Sequence, residues 1–238
     1  MSAPVLELDG VEAAYGPFRA LFGVSLSVAE HEAVAVLGPN GAGKTTTARV
    51  ASGLVAPSAG LVRLGGETFT GRRPFEYARA GVLHAPEGRS VFATFSVREN
   101  LVLSLEGRRS RSEVAEALDE AFELFPVLGE RRDQLAGTLS GGEQRMLAMA
   151  RVLVEAPQLL IADELSLGLA PIVIDEIYAT LARIKEAGTA MLIVEQQVAH
   201  ALQLCDRVLV MDNGLVSWQG PPDEAADEVA LRLFDTTG

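Results

Sequence analysis

The sequence predicts an α/β fold: a core on a mostly parallel sheet, antiparallel strands near the N-terminus, and an inserted α-helical subdomain. Three observations carry this. The runs Ala33–Leu37, Leu159–Ala162 and Ala190–Val194 are short and continuously apolar, as strands buried on both faces are. The last two flank an amphipathic helix, which makes a βαβ unit and hence a parallel sheet. Residues 98–155, by contrast, carry helical periodicity and no convincing strand.

Taken in order, Val5–Leu8 and Val24–Val28 alternate apolar and polar residues like half-buried strands. Ala33–Leu37 runs straight into Gly38-Pro39-Asn40-Gly41-Ala42-Gly43-Lys44-Thr45, after which a helix is expected from Lys44 to about Gly53. In the helical stretch, Ser110 and Glu113 form a capping box ahead of Val114, Ala117, Leu118, Ala121, Phe122 and Phe125. The helix between the later strands opens with Pro171, puts Ile174, Ile177, Tyr178, Leu181 and Ile184 on one face, and stops at Gly188. No internal repeat or low-complexity segment interrupts the chain.

At 238 residues and 48% hydrophobic the chain has enough apolar material for a large core. Its longest unbroken apolar stretch, roughly seven residues at Ala33–Pro39, falls far short of the ~20 a membrane helix requires. No signal peptide is expected before Val5. Cys205 is the only cysteine, which rules out an internal disulfide, fits a reducing compartment, and reads as a small buried apolar residue. A net charge of −12 argues against binding a phosphate backbone, so no nucleic-acid partner is expected. Arg108, Arg109 and Arg111 are then a solvated face rather than a nucleic-acid patch. Lys44 and Lys185 are the only lysines, and one of them falls in the glycine-rich loop.

The chemistry concentrates in three places. Residues Gly38 to Thr45 match G-x-x-x-x-G-K-[ST], a loop whose backbone N–H groups wrap phosphates. Pro39, which has no N–H, shapes the loop, Asn40, Gly41, Ala42, Gly43 and Thr46 supply its N–H groups, Lys44 reaches the outer phosphates, and Thr45 puts a hydroxyl on Mg²⁺. At the C-terminal end of the second buried strand stand Asp163 and Glu164, where ligands bind in open α/β sheets. Asp163 is the candidate magnesium ligand, and Glu164 the base that polarises water for in-line attack on the γ-phosphate. Third, Ser140-Gly141-Gly142-Glu143 reads as a helix capping box. Two glycines in a first turn argue for more than capping, because each costs up to ~1 kcal/mol against Ala and lets backbone approach a bound phosphate. One triphosphate does not need two such ends from one chain, whereas two chains facing each other would use both.

The order of these motifs resembles the ATP-binding cassette (ABC) family over essentially the whole chain. Leu139 to Gln144 match that family's signature motif, which is far more specific than a phosphate loop alone. The resemblance implies a P-loop NTPase core of the RecA-like type and two cassettes closing head to tail on two MgATP. It divides the chain into a nucleotide-binding core at 1–86 and 157–238 and a helical subdomain at 87–156. Tyr15 then looks like the aromatic that stacks on adenine. Departures from the general pattern narrow the match. Pro86-Glu87-Gly88-Arg89 replaces a segment that usually holds a glutamine, Ala170 stands where aspartate is common, and Gln196 where a phosphate-sensing histidine is common. These segments, with Ser166–Pro171, look like branched-chain amino acid importer ATPases of the LivF type, although Leu165 departs even from that pattern.

The importer resemblance implies a peripheral subunit on the cytoplasmic face of the inner or plasma membrane. Its companions would be a second ATPase (a copy of itself or a LivG-like chain), two membrane permeases and an external solute-binding protein. Coupling would run through a cleft near Glu87 to Phe95. Glu87 should share magnesium's water shell or turn toward the partner. Gln196 can still donate to a γ-phosphate oxygen without carrying a histidine's charge, so turnover should be less pH-sensitive. Urea or another small polar solute, a non-transport nucleotide switch, and a regulatory cassette that binds ATP without hydrolysing it are the competing readings.

Overall fold

A computed structural model describes residues 3–85, 91–105, 110–196 and 198–225. The chain divides into two compact units, one of Met1–His84, Pro157–Glu164 and Leu181–Gly238, the other of Ala85–Ala156 and Leu165–Thr180. Residues 165–180, assigned with the core on sequence, group with the second unit.

In the first unit β1 (Leu6–Tyr15), β2 (Phe18–Val28), β4 (Ala59–Leu64) and β5 (Glu67–Thr68) form an antiparallel sheet in the order β2-β1-β4-β5, while β3 (Ala33–Leu37) belongs elsewhere. β1 and β2 are both longer than the alternation in their sequences suggests. Register shifts after Leu8 and around Val11 break the period-2 pattern without ending the ladder, and Gly10 at φ 58° takes up the bend.

The second sheet has the order β10-β9-β3-β8-β7-β6. Its strands are β3, β6 (Val82–Ala85), β7 (Leu159–Asp163), β8 (Ala190–Glu195), β9 (Arg207–Asp212) and β10 (Leu215–Gly220). Strands β9, β3, β8 and β7 are parallel, and β10 closes one edge antiparallel. All three apolar runs predicted as buried strands are buried along their length. Val34, Val36, Ile161 and Leu192 join Leu6, Leu8 and Val50 in one core cluster, each such side chain contributing roughly 1.5–3 kcal/mol of burial. Helix α1 (Lys44–Ala51) follows the loop after β3, and α2 (Pro74–Arg79) precedes β6.

In the second unit α3 (Val97–Leu105), α4 (Arg111–Leu124), α5 (Pro126–Glu130) and α6 (Gly141–Glu155) confirm the helical reading. Ser110 caps α4, accepting from Glu113 N–H at 3.4 Å while the Glu113 carboxylate accepts from Ser110 N–H at 2.7 Å. Fully buried Asn100 pins the turn before α3, accepting from Phe92 N–H at 2.8 Å and donating to Ser96 O at 2.9 Å. The long helix α7 (Pro171–Glu186) buries the predicted face of Ile174, Ile177, Tyr178, Leu181 and Ile184. It ends before Gly188, whose φ of 100° suits a C-terminal glycine. In the first unit α8 (Val198–Leu204) leads to β9, and Cys205 between them is buried, which pushes its thiol up to about 12.

One half-buried titratable group has a direct consequence for stability. Ser52 Oγ lies 3.0 Å from Ala48 O and 3.2 Å from Arg49 O, both acceptors, so its single hydrogen points there. His84 Nδ1, 2.9 Å from the same oxygen, must then donate. Its Nε2 is buried with no partner. Burial and the nearby Arg49 hold His84 down at about 4, against an ordinary 6.5. A depressed histidine takes up its proton more readily unfolded, so this contribution is complete above pH 6.5 and lost as pH falls toward 4. Urea unfolding should therefore show His84→Asn losing about 2–3 kcal/mol less than the parent between about pH 7 and about pH 4.5.

Candidate active site

The parallel register brings three strand ends together. Leu37 pairs with Glu195, and Asp163 with Val194, so the segments leaving β3, β8 and β7 emerge side by side at the C-terminal edge. Two glycines make the loop after β3 possible. A Cβ on Gly38 would lie 2.3 Å from Met211 O, and one on Gly43, at φ 100°, 2.8 Å from Leu21 Cδ2 and 3.0 Å from Ala20 O. Gly43 also sits at the N-cap of α1, so the loop's N–H groups lead into a helix N-terminus.

Lys44 is buried, and its Nζ donates to Gly38 O at 2.9 Å and Pro39 O at 3.0 Å. Burial pushes its pKa down, while Glu164, Asp163 and Glu195 pull it back up. Nζ stands 3.8 Å from Glu164 Oε1. Thr45 Oγ1 donates to Asp163 Oδ1 at 3.1 Å. A hydroxyl and a carboxylate in contact are the hard oxygen donors Mg²⁺ takes from proteins, which supply it one or two ligands beside substrate phosphates. Three carboxylates thus surround the buried Lys44 ammonium.

Glu164 has the left-handed φ of 48°, rare for a residue with a side chain. Its N–H donates to Val194 O at 2.9 Å, and its carboxylate accepts from Gln196 Nε2 at 3.1 Å. Strain of this kind costs of order 1–3 kcal/mol and persists where surrounding bonds enforce it. Gln196 Nε2 also donates to Asn40 Oδ1. The first unit thus gathers Asn40, Lys44, Thr45, Asp163, Glu164 and Gln196. Tyr15 ends β1 in the same unit with 43% of its surface exposed and its hydroxyl 3.5 Å from Arg49 Nη1.

Ser140 to Glu143 lie in the second unit, where they build the predicted capping box. Ser140 Oγ accepts from Glu143 N–H at 3.3 Å, and the Glu143 carboxylate accepts from Ser140 N–H at 2.8 Å. Arg131 adds an ion pair to Glu143 at 2.8 Å. Buried Gln144 donates to Ala136 O and Leu139 O, fixing the chain that enters α6. Glu87 and its neighbours Pro86, Gly88 and Arg89 lie outside the described residues, as do Arg108 and Arg109.

One participant and one contact were not singled out on sequence. Glu195 is buried, and its charge acts on Lys44. The signal was available, because an acid ending a buried parallel strand is the same pattern that marks Asp163. The contact of Asn40 with Gln196 joins residues 156 apart and leaves no local trace in either segment.

Comparison with known proteins bears on the family and the fold. A family model described as ABC transporter matches residues 21–166. The chain is 40% identical over 212 residues to the high-affinity branched-chain amino acid transport ATP-binding protein BraG of Pseudomonas aeruginosa, covering 89% of this chain and 91% of that one. It is 32% identical to the lipopolysaccharide export system ATP-binding protein LptB of Haemophilus influenzae, covering 97% and 96%. It superposes with a TM-score of 0.81 and 27% identity on the ADP conformation of an ATP-binding cassette of an ABC transporter, covering 99% of this chain and 96% of that one. The chain therefore belongs to the ABC transporter family, as one of its ATP-binding subunits, and is an ATPase.

Proposed function

We propose that this subunit hydrolyses MgATP in a head-to-tail pair of cassettes to drive uptake of branched-chain amino acids. The observation that carries the catalytic part is the convergence of Asp163 and Glu164 on Thr45 and Lys44 at one sheet edge. In this reading the loop at 38–46 binds the phosphates through the N–H groups it has at every position but Pro39, and Lys44 neutralises the outer ones. Thr45 and Asp163 would hold Mg²⁺, which would neutralise phosphate charge, and Glu87 is the further carboxylate assigned to it on sequence. Glu164 takes the proton of the attacking water, and Gln196 donates to the γ-phosphate. Tyr15 stacks on adenine, worth roughly 1–3 kcal/mol. Ser140, Gly141, Gly142 and Glu143 present the α6 N-terminus to nucleotide held by the opposite cassette.

Solute and partners rest on similarity. BraG at 40% identity supports a branched-chain amino acid, while LptB leaves other solutes open. Among the described residues no helix is long and apolar enough to cross a membrane. The reading therefore requires separate permeases, with the subunit at their cytoplasmic face beside a second ATPase and fed by an external solute-binding protein. Reconstituting the complex and adding solutes to its binding protein tests this. Leucine, isoleucine or valine should stimulate phosphate release severalfold; stimulation by urea alone would reassign the solute, and no release under any condition would favour a regulatory cassette.

A further inference from the structure

The polar groups that the proposed reaction aims at the terminal phosphate already have partners within the site. Lys44 Nζ donates to Gly38 O and Pro39 O. Gln196 Nε2 carries two hydrogens and has two acceptors, Glu164 Oε1 at 3.1 Å and Asn40 Oδ1. The amide orientation is fixed by chemistry. A carboxylate only accepts, so Glu164 selects the nitrogen end of Gln196; that nitrogen only donates, so Asn40 must present its oxygen. The three residues come from three separate strand exits, after β3, β7 and β8.

We infer that Asn40 and Gln196 form a latch that holds the Glu164 carboxylate against the phosphate loop, and that a γ-phosphate opens it by competing for the same two hydrogens. The inference rests on the reading of Glu164 as base and Gln196 as phosphate donor. It adds a discriminating role for the Asn40 side chain, distinct from the loop's backbone donors. A diphosphate has no terminal group to compete and leaves the latch closed, with Glu164 Oε1 held toward Gln196 and away from an attacking water. A triphosphate that draws Gln196 away frees the carboxylate for water, so the base is released only when there is a bond to cleave. Asn40 is a positioning residue here, acting through Gln196.

The test is binding of MgATPγS and of MgADP by the full chain, its Asn40→Ala and Gln196→Ala variants and the double variant. Asn40→Ala removes the acceptor and keeps the backbone N–H. It should tighten MgATPγS about three- to tenfold, the worth of one net hydrogen bond, and leave MgADP within about twofold. Gln196→Ala deletes latch and phosphate donor together, so in that background Asn40→Ala should have no effect on either nucleotide. Asn40→Ser keeps a shorter acceptor and should fall between. An Asn40→Ala effect equal on both nucleotides, or unchanged when Gln196 is alanine, would overturn the latch while leaving the catalytic assignment intact. Failure of the parent chain to bind either nucleotide would instead remove the reading beneath it.

Discussion

Replacing Glu164 by Gln should lower steady-state phosphate release at least about 100-fold, the lower end of what a positioned base contributes, while ATP still binds. The substitution is nearly isosteric and changes little that holds the residue in place. The backbone of residue 164 keeps its bond to Val194 O, and its φ of 48° is set by the chain around it. A glutamine Oε1 can still accept from Gln196 Nε2. Lys44 would face Asp163 and Glu195 in place of three carboxylates, so its ammonium keeps charged partners. With one negative charge gone from the mouth of the loop, repulsion of the triphosphate falls, and ATP affinity should hold or rise. Phosphate release and nucleotide titration on one preparation separate the two effects. Turnover above a tenth of the parent's would move the base to another carboxylate. Glu195, buried at the neighbouring strand end, is the next to test.

What could be read before the structure follows from how far each signal travels along the chain. The buried runs of β3, β7 and β8 and the face of α7 are local patterns set by their own residues, and they fold as read. The strand-end acids Asp163 and Glu164 were legible for the same reason, because a short apolar run fixes where its C-terminal edge falls. The alternation in β1 reaches only Leu8, because its bulges take alternate residues out of phase while hydrogen bonding continues. The reason Gly38 must be glycine is the carbonyl of Met211, far along the chain and brought close only by the pairing of β3 with β9. Glu195 ends its buried strand as Asp163 does, and Asn40 gives no sign in its own segment of meeting Gln196. Such links come from sheet order, which local sequence does not carry.

Gly142→Ala should make the protein more stable and less active, and the two directions together decide what the glycine is for. The structure gives the backbone no need of glycine at this position: Gly142 is not among the residues with positive φ. An added Cβ would meet Val173 Cγ2 at 3.4 Å and Cγ1 at 3.7 Å, ordinary contacts within the second unit. Alanine in the first turn of α6 should then recover roughly 1 kcal/mol of helix propensity, seen as a rise of about 2–4 °C in Tm for a chain of this size. The Ser140–Glu143 capping box is formed by side chains that the substitution leaves alone. If the α6 N-terminus meets a phosphate held by an opposite cassette, a methyl group at residue 142 keeps that phosphate from its close approach, and turnover in the assembled complex should fall about 100-fold or more, on the scale of a lost oriented donor. Binding of ATP to the isolated subunit, which uses the loop at 38–45, should be unchanged. A variant that gains stability and keeps full turnover would return the glycine to the capping reading. Gly38→Ala is the contrasting case: its Cβ would collide with Met211 O at 2.3 Å, so fold and nucleotide affinity should fall together. The opposite signs expected for Gly142 separate a glycine kept for a ligand from one kept for the chain.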